Sequence, residues 1–131
     1  MRAIARRENG SLKHEIEIRG HKVVADESKD KGGDDSGPDP QELLAASLAS
    51  CTAVTIEMYA NRKGWDIGDV AVDVDYEPAQ RGSPTRFAMI VRLSKELPED
   101  QRQRLMQIAA KCPVHRTLEG EVMFEERLEV S

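Results

Sequence analysis

The stretch from Gly37 to Tyr59, GPDPQELLAASLASCTAVTIEMY, constrains this chain more than any other. Asp39 can accept from the free N–H groups of a first helical turn, Pro40 suits the first helical position, and Glu42 follows three residues later as in a capping box. Beyond that start, Leu43, Leu44, Ala45, Ala46, Leu48, Ala49, Ala53, Val54, Ile56 and Met58 fall on nearly every side of a helical wheel. A helix of that kind is buried rather than half-exposed. Its polar interruptions before Glu57 are the small hydroxyls Ser47, Ser50, Thr52 and Thr55, which can bond back to the helix's own carbonyls or line a small cavity. Arg62, Lys63 and Gly64 end it, with cations at the negative end and a glycine for a left-handed cap.

A helix that is apolar all round must be covered all round, which one small sheet cannot do. Either sheets wrap around it or a second subunit covers it. With 131 residues the chain is expected to be one domain, 1–131, and with only 4% aromatic residues to fill a core, an intertwined homodimer is the expected solution. The net charge is −5 and no Lys/Arg stripe is interleaved with aromatics, so no nucleic-acid partner is expected. The N-terminus, MRAIARRENGS, is charged where a signal peptide needs an apolar core, and uninterrupted apolar runs fall far short of a membrane span. The expectation is therefore a cytoplasmic protein with no membrane partner.

Elsewhere the pattern is that of strands around helices. KHEIEIRGHKVV alternates apolar and charged residues, giving short antiparallel strands with turns at Glu8-Asn9-Gly10 and Arg19-Gly20. DESKDKGGDDSGPDP, from Asp26 to Pro40, is too polar and glycine-rich to pack and is expected as a surface loop. Val70, Val72, Val74 and Tyr76 form one face of a strand, and Phe87, Met89, Val91 and Leu93 return as its hairpin partner. LPEDQRQRLMQIAAK gives an amphipathic second helix with Leu105, Met106, Ile108 and Ala109 on one side. A terminal strand is expected through Val122, Phe124 and Leu128, irregular near Glu126. The fold class is α+β.

The chemistry rests on two thiols. An ordinary thiol is only a few per cent ionised at neutral pH and needs a cation or a helix N-terminus to activate it. Cys112 has both in sequence, because Pro113 can open a short helix with Cys112 as its N-cap, and His115 and Arg116 follow. Cys51 sits mid-helix, where apolar surroundings disfavour the thiolate. Local chemistry thus makes Cys112 the more readily ionised thiol and leaves Cys51 as either packing or protected chemistry. Cys112-x-x-His115 offers a metal only two ligands, with His14 and His21 isolated, so no metal is expected. Met58, Met89, Met106 and Met123 are expected as core filler. DKGGDDSGPD lacks the Lys-Ser/Thr of a phosphate loop, and Asp73, Asp75 and Glu77 alternate on a strand, so both acidic stretches are expected as solvated charge rather than as a cofactor site.

Together GPDPQELLAASLASCTAVTIEMYA and, half a chain later, KCPVHRTLEGEV resemble the OsmC/Ohr family, its OsmC-like branch in particular. The resemblance implies two antiparallel sheets wrapped around central helices, a homodimer with active sites at the subunit interface, and a cysteine-based peroxidase of organic hydroperoxides. It also implies that Cys51 is the peroxidatic thiolate, that Cys112 condenses with the resulting sulfenic acid, and that an external dithiol completes the cycle without metal or flavin. The family's peroxidases carry an acid ten positions before that cysteine to hold an arginine at the thiolate. Here that position is Gln41, and Glu42 follows it, nine residues before Cys51 and so about half a circle around the helix from it, pointing away from the thiol. The arginine is expected from the N-terminal strands, with Arg7 preferred over Arg19 and Arg6. A dimeric redox sensor or small-molecule binder of the same fold is the alternative.

Overall fold

The computed structural model describes residues 1–7 and 9–130; Glu8, expected in the first turn, and Ser131 lie outside the described residues. The chain divides into two compact units, residues 1–46 and 47–131. It is an α+β chain with two antiparallel sheets.

In the first unit, strands β1 (Ile4–Arg7), β2 (His14–Ile18) and β3 (His21–Ala25) form an antiparallel sheet in the order β1-β2-β3. The register sets Ile16 opposite both Ala5 and Val23, so these three share one face, while Ile4 and Val24 fall on the other face opposite Glu17 and Glu15. Arg19 (φ 49°) and Gly20 (φ 82°) both take the left-handed conformation of a two-residue hairpin turn, as the Arg-Gly dipeptide predicts.

The loop that follows is polar but not loose. Asp26 is 2% exposed, and its carboxylate accepts the backbone N–H groups of Glu27, Asp34 and Ser36 as well as the Ser36 hydroxyl. Its own N–H donates to Pro38 O at 3.0 Å. These bonds hold the Asp26 carboxyl down at a pKa of about 2, the Ser36 hydroxyl contributing most. At Gly33 a Cβ would meet the Glu27 carbonyl oxygen at 2.0 Å, so only glycine fits. The sequence shows the loop; it does not show that one buried carboxylate organises it.

Helix α1 (Pro40–Lys63) begins where the capping box predicts: Glu42 N–H donates to Asp39 Oδ1 at 2.8 Å, and Asp39 N–H donates to Glu42 Oε1 at 2.9 Å. It ends in a Schellman motif, with Trp65 N–H donating to Ala60 O, Gly64 N–H to Asn61 O, and Gly64 at φ 70°. Within one chain its burial is partial: Leu48, Thr52, Ile56, Tyr59 and Ala60 are buried while Val54 is 51% and Met58 62% exposed. By length and a mean hydropathy of 1.4, α1 also reaches what a membrane-crossing helix needs, which the short uninterrupted runs concealed. Alanines and small hydroxyls carry the apolar average across the gaps. A core helix of a soluble protein passes the same test.

In the second unit, β4 (Val70–Glu77) and β5 (Arg86–Leu93) pair antiparallel over their full length, from Val70 opposite Leu93 to Glu77 opposite Arg86. Val70, Val72, Val74 and Tyr76 are half-buried and alternate with exposed Ala71, Asp73, Asp75 and Glu77. Tyr76 stacks on Phe87 with ring centroids 4.6 Å apart. Helix α2 (Glu99–Ala109) buries Leu105 and Ala109 against Ile56, Tyr59, Ala60 and Ile67, and Val70, Val91 and Leu93 pack on that cluster. Met106, expected on the buried side, is 49% exposed. Met58 and Met123 are exposed too, and Met89 is half-buried on β5, so none of these four methionines is fully buried.

Helix α3 (Pro113–Glu119) closes the regular structure. The strand expected beyond it does not form: residues 121–130 have no regular structure, and Val122, Phe124, Leu128 and Val130 are exposed. Alternation gives a segment an apolar face, but a strand exists only beside a hydrogen-bonding neighbour, and none of the five strands pairs with this one.

Candidate active site

The two thiols meet in the second unit. Pro113 opens α3 and Cys112 is its N-cap, its sulfur accepting the backbone N–H of His115 at 3.3 Å. A sulfur in the N-cap position does what a serine oxygen does, satisfying one of the free N–H groups of the first turn. Cys112 is fully buried, whereas Cys51, midway along α1, is half-buried, and both are free thiols. His115, half-buried, pairs through Nδ1 with Glu119 one turn further along α3.

Cys112 lies beside Cys51 closely enough to act on its ionisation. Burial is the largest influence and pushes the Cys51 thiol up; the backbone N–H of Val114 opposes it, Cys112 raises it further by hydrogen bonding and charge, and the Thr55 hydroxyl lowers it. The net direction is upward. Within one chain the Cys51 thiol is therefore held toward its protonated form, with the backbone N–H of Val114 in the first turn of α3 and the Thr55 hydroxyl acting against that direction.

Next to Cys51 in the chain and in contact with Cys112 is Thr52, also fully buried. Its hydroxyl donates to Met89 Sδ at 3.7 Å and shares a second bond with Cys112 Sγ, also at 3.7 Å. Sequence reasoning treated Thr52 only as a small hydroxyl in a core helix. Its adjacency to Cys51 was visible; its sulfur contacts, made with residues from β5 and the α3 cap, depend on tertiary structure.

The remaining predicted residues lie in the first unit or at the start of α1. Arg7 turns onto its own hairpin, its Nε donating to Ser11 O at 2.9 Å and a terminal nitrogen donating to Gly10 O. Arg6 pairs with Glu17 across the β1–β2 ladder at 3.3 Å. Gln41 and Glu42 are exposed in the first turn of α1, and the Glu42 carboxylate is engaged in the capping box. Among the described residues, no group of three or more His, Cys, Asp or Glu side chains gathers that could hold a metal.

A buried N-cap cysteine at the start of a Pro-initiated helix, set against a mid-helix cysteine followed by threonine, agrees with the family comparison. The profile of the OsmC-like protein family matches residues 33–127. This chain belongs to the OsmC family. A Haloferax volcanii protein without assigned function is 28% identical over 94 residues, covering 70% of this chain and 71% of its own. The OsmC-like protein of Mycoplasma pneumoniae has a TM-score of 0.76 at 18% identity, over 91% of this chain and 86% of that one. For the organic hydroperoxide resistance protein OsmC of Legionella pneumophila the TM-score is 0.65 at 20% identity, over 92% and 90%. At such identities the structural likeness establishes the fold of this OsmC-family chain, and its chemistry has to be argued from its own residues.

Proposed function

We propose that this chain is a thiol-dependent peroxidase of organic hydroperoxides, active as a homodimer through Cys51 and Cys112. The observation that carries the reading is the juxtaposition of the two thiols, the more accessible one mid-helix and the buried one capping α3. Its first step is attack of the Cys51 thiolate on the terminal peroxide oxygen. The O–O bond breaks, the departing alkoxide takes a proton to become the alcohol, and Cys51 is left as a sulfenic acid. Cys112 then attacks that sulfur: an S–S bond forms, the S–O bond breaks, and the hydroxyl leaves as water with the proton from Cys112. An external dithiol reduces the disulfide and is itself oxidised to a disulfide.

The same reading requires a cation at Cys51, because burial holds that thiol up in the single chain. Arg7 is the proposed source, with Arg19 and Arg6 behind it. Glu42 is committed to the helix cap, so the arginine's carboxylate partner in the family pattern is replaced here by Gln41 or by neither. Homodimer formation is supported by α1, of whose most apolar window only 28% is buried within one chain, and by the uncovered apolar residues of the C-terminal segment.

Cys51→Ser should abolish turnover of an organic hydroperoxide such as cumene hydroperoxide, while Cys112→Ser should stop after one turnover with a trappable sulfenic acid. Unchanged turnover in Cys51→Ser would sink the assignment. A second reading, a dimeric redox sensor or binding protein, is favoured by the raised Cys51 thiol and by Gln41. It predicts a slow reversible disulfide without sustained peroxide consumption.

A further inference from the structure

We infer that Thr52 is a positioning residue for Cys112, a hydroxyl rotor that turns from Met89 to the Cys112 sulfur when that sulfur carries charge; this rests on the two-thiol reading of the site. Thr52 is fully buried, and among the described residues its hydroxyl bonds to two sulfurs and to nothing else. A hydroxyl has one proton to donate and two lone pairs to accept with. A thioether can only accept, so while the proton points at Met89 Sδ, Thr52 takes part in the Cys112 contact as the acceptor of the S–H.

That arrangement suits the neutral thiol and fails the thiolate. Cys112 is closed off from solvent, so a thiolate there cannot be hydrated and must be satisfied by donors in the protein. One donor is already in place, the backbone N–H of His115 at 3.3 Å. Thr52 Oγ1, at 3.7 Å, can supply a second by rotation about χ1 or about its own C–O bond, giving up only a weak bond to a thioether. A hydrogen bond to a charged acceptor is roughly twice as strong as one to a neutral acceptor, so the exchange is favourable once the proton has left.

The consequence falls on two steps of the cycle. When Cys112 attacks the Cys51 sulfenic acid, its proton leaves with the hydroxyl as water, and Thr52 stabilises the sulfur as it gives up that proton. When the external dithiol attacks the disulfide at Cys51, Cys112 is the leaving thiolate, and a lower-energy thiolate leaves faster. Thr52 thereby directs the reductant to Cys51, the more exposed sulfur.

Ultraviolet thiolate absorbance, followed against pH in a Cys51→Ser background, reads Cys112 alone and needs no reagent to reach the buried sulfur. Thr52→Val should reduce the thiolate fraction at neutral pH by about tenfold, the equivalent of one lost donor. Thr52→Ser should restore it, and Met89→Leu, which removes the competing acceptor while keeping the shape, should increase it. A Thr52→Val titration that matches the unsubstituted chain, or a Met89→Leu titration that does not move, overturns the inference; if Thr52→Val does not fold, Met89→Leu decides. Hydroperoxide consumption by the chain with both cysteines tests the peroxidase reading separately, because the titration contains no peroxide.

Discussion

Cys51 and Cys112 differ in which form of the thiol their surroundings favour. Burial and the neighbouring Cys112 raise the Cys51 thiol, the first more than the second. A thiol with a raised pKa reacts slowly with alkylating agents at neutral pH and gains reactivity as pH climbs, because the thiolate is the nucleophile. Removing Cys112 removes the second cause but not the first. In Cys112→Ala the pH profile of Cys51 alkylation should therefore shift to lower pH without reaching that of an exposed cysteine; a shift to higher pH would show that Cys112 does not oppose the Cys51 thiolate. The sequence placed Cys112 at a helix N-cap correctly because Cys-Pro followed by helix formers is a local signal. It gave no sign of the Thr52–Met89–Cys112 contacts, which join residues from α1, β5 and the α3 cap.

At the scale of elements, the beginning of α1 and the Asp26 loop are each held by a structural carboxylate. Glu42→Ala should lower stability by about 1 kcal/mol in urea denaturation, the usual worth of a cap, while Glu42→Gln keeps a side chain that can accept from Asp39 N–H and should cost less. Because Glu42 serves the cap, Glu42→Gln should also leave hydroperoxide turnover unchanged; a large loss would mean that it serves the thiol. The Asp26 carboxyl, held near a pKa of about 2 against 3.8 ordinarily, stabilises the fold fully above about pH 3.8 and ceases to do so as pH falls through 2. Asp26→Asn should remove that acid-dependent component, measured as the difference in unfolding midpoints between pH 5 and roughly pH 2. Helix ends, the hairpin register and the Arg19-Gly20 turn were legible because each depends on neighbours within a few residues. Asp26 was not, since the partners of its carboxylate lie up to ten positions away in a loop whose composition resembles any solvated segment. The C-terminal strand failed for the opposite reason: its alternation was real, but pairing is a property of two segments, and only one is present here.

For the whole molecule, the unmet requirement is cover for apolar surface. Val54 and Met58 on α1, Ile90 on β5, and Val122, Phe124, Leu128 and Val130 near the C-terminus are all exposed in one chain. Met58→Asp should shift the mass found by sedimentation equilibrium from dimer toward monomer, and a monomeric unsubstituted protein would contradict the homodimer. If the cation that activates Cys51 is completed by dimerisation, the same substitution should slow hydroperoxide turnover in step with dissociation. The most direct test of the central claim is peroxide-driven pairing of the two thiols. The reduced protein is treated with one equivalent of an organic hydroperoxide, quenched by alkylation, digested and mapped by mass spectrometry. The account predicts a Cys51–Cys112 disulfide formed within the time of peroxide loss and reversed by dithiothreitol; peroxide consumed with both cysteines recovered alkylated, or no peroxide consumed at all, would contradict it.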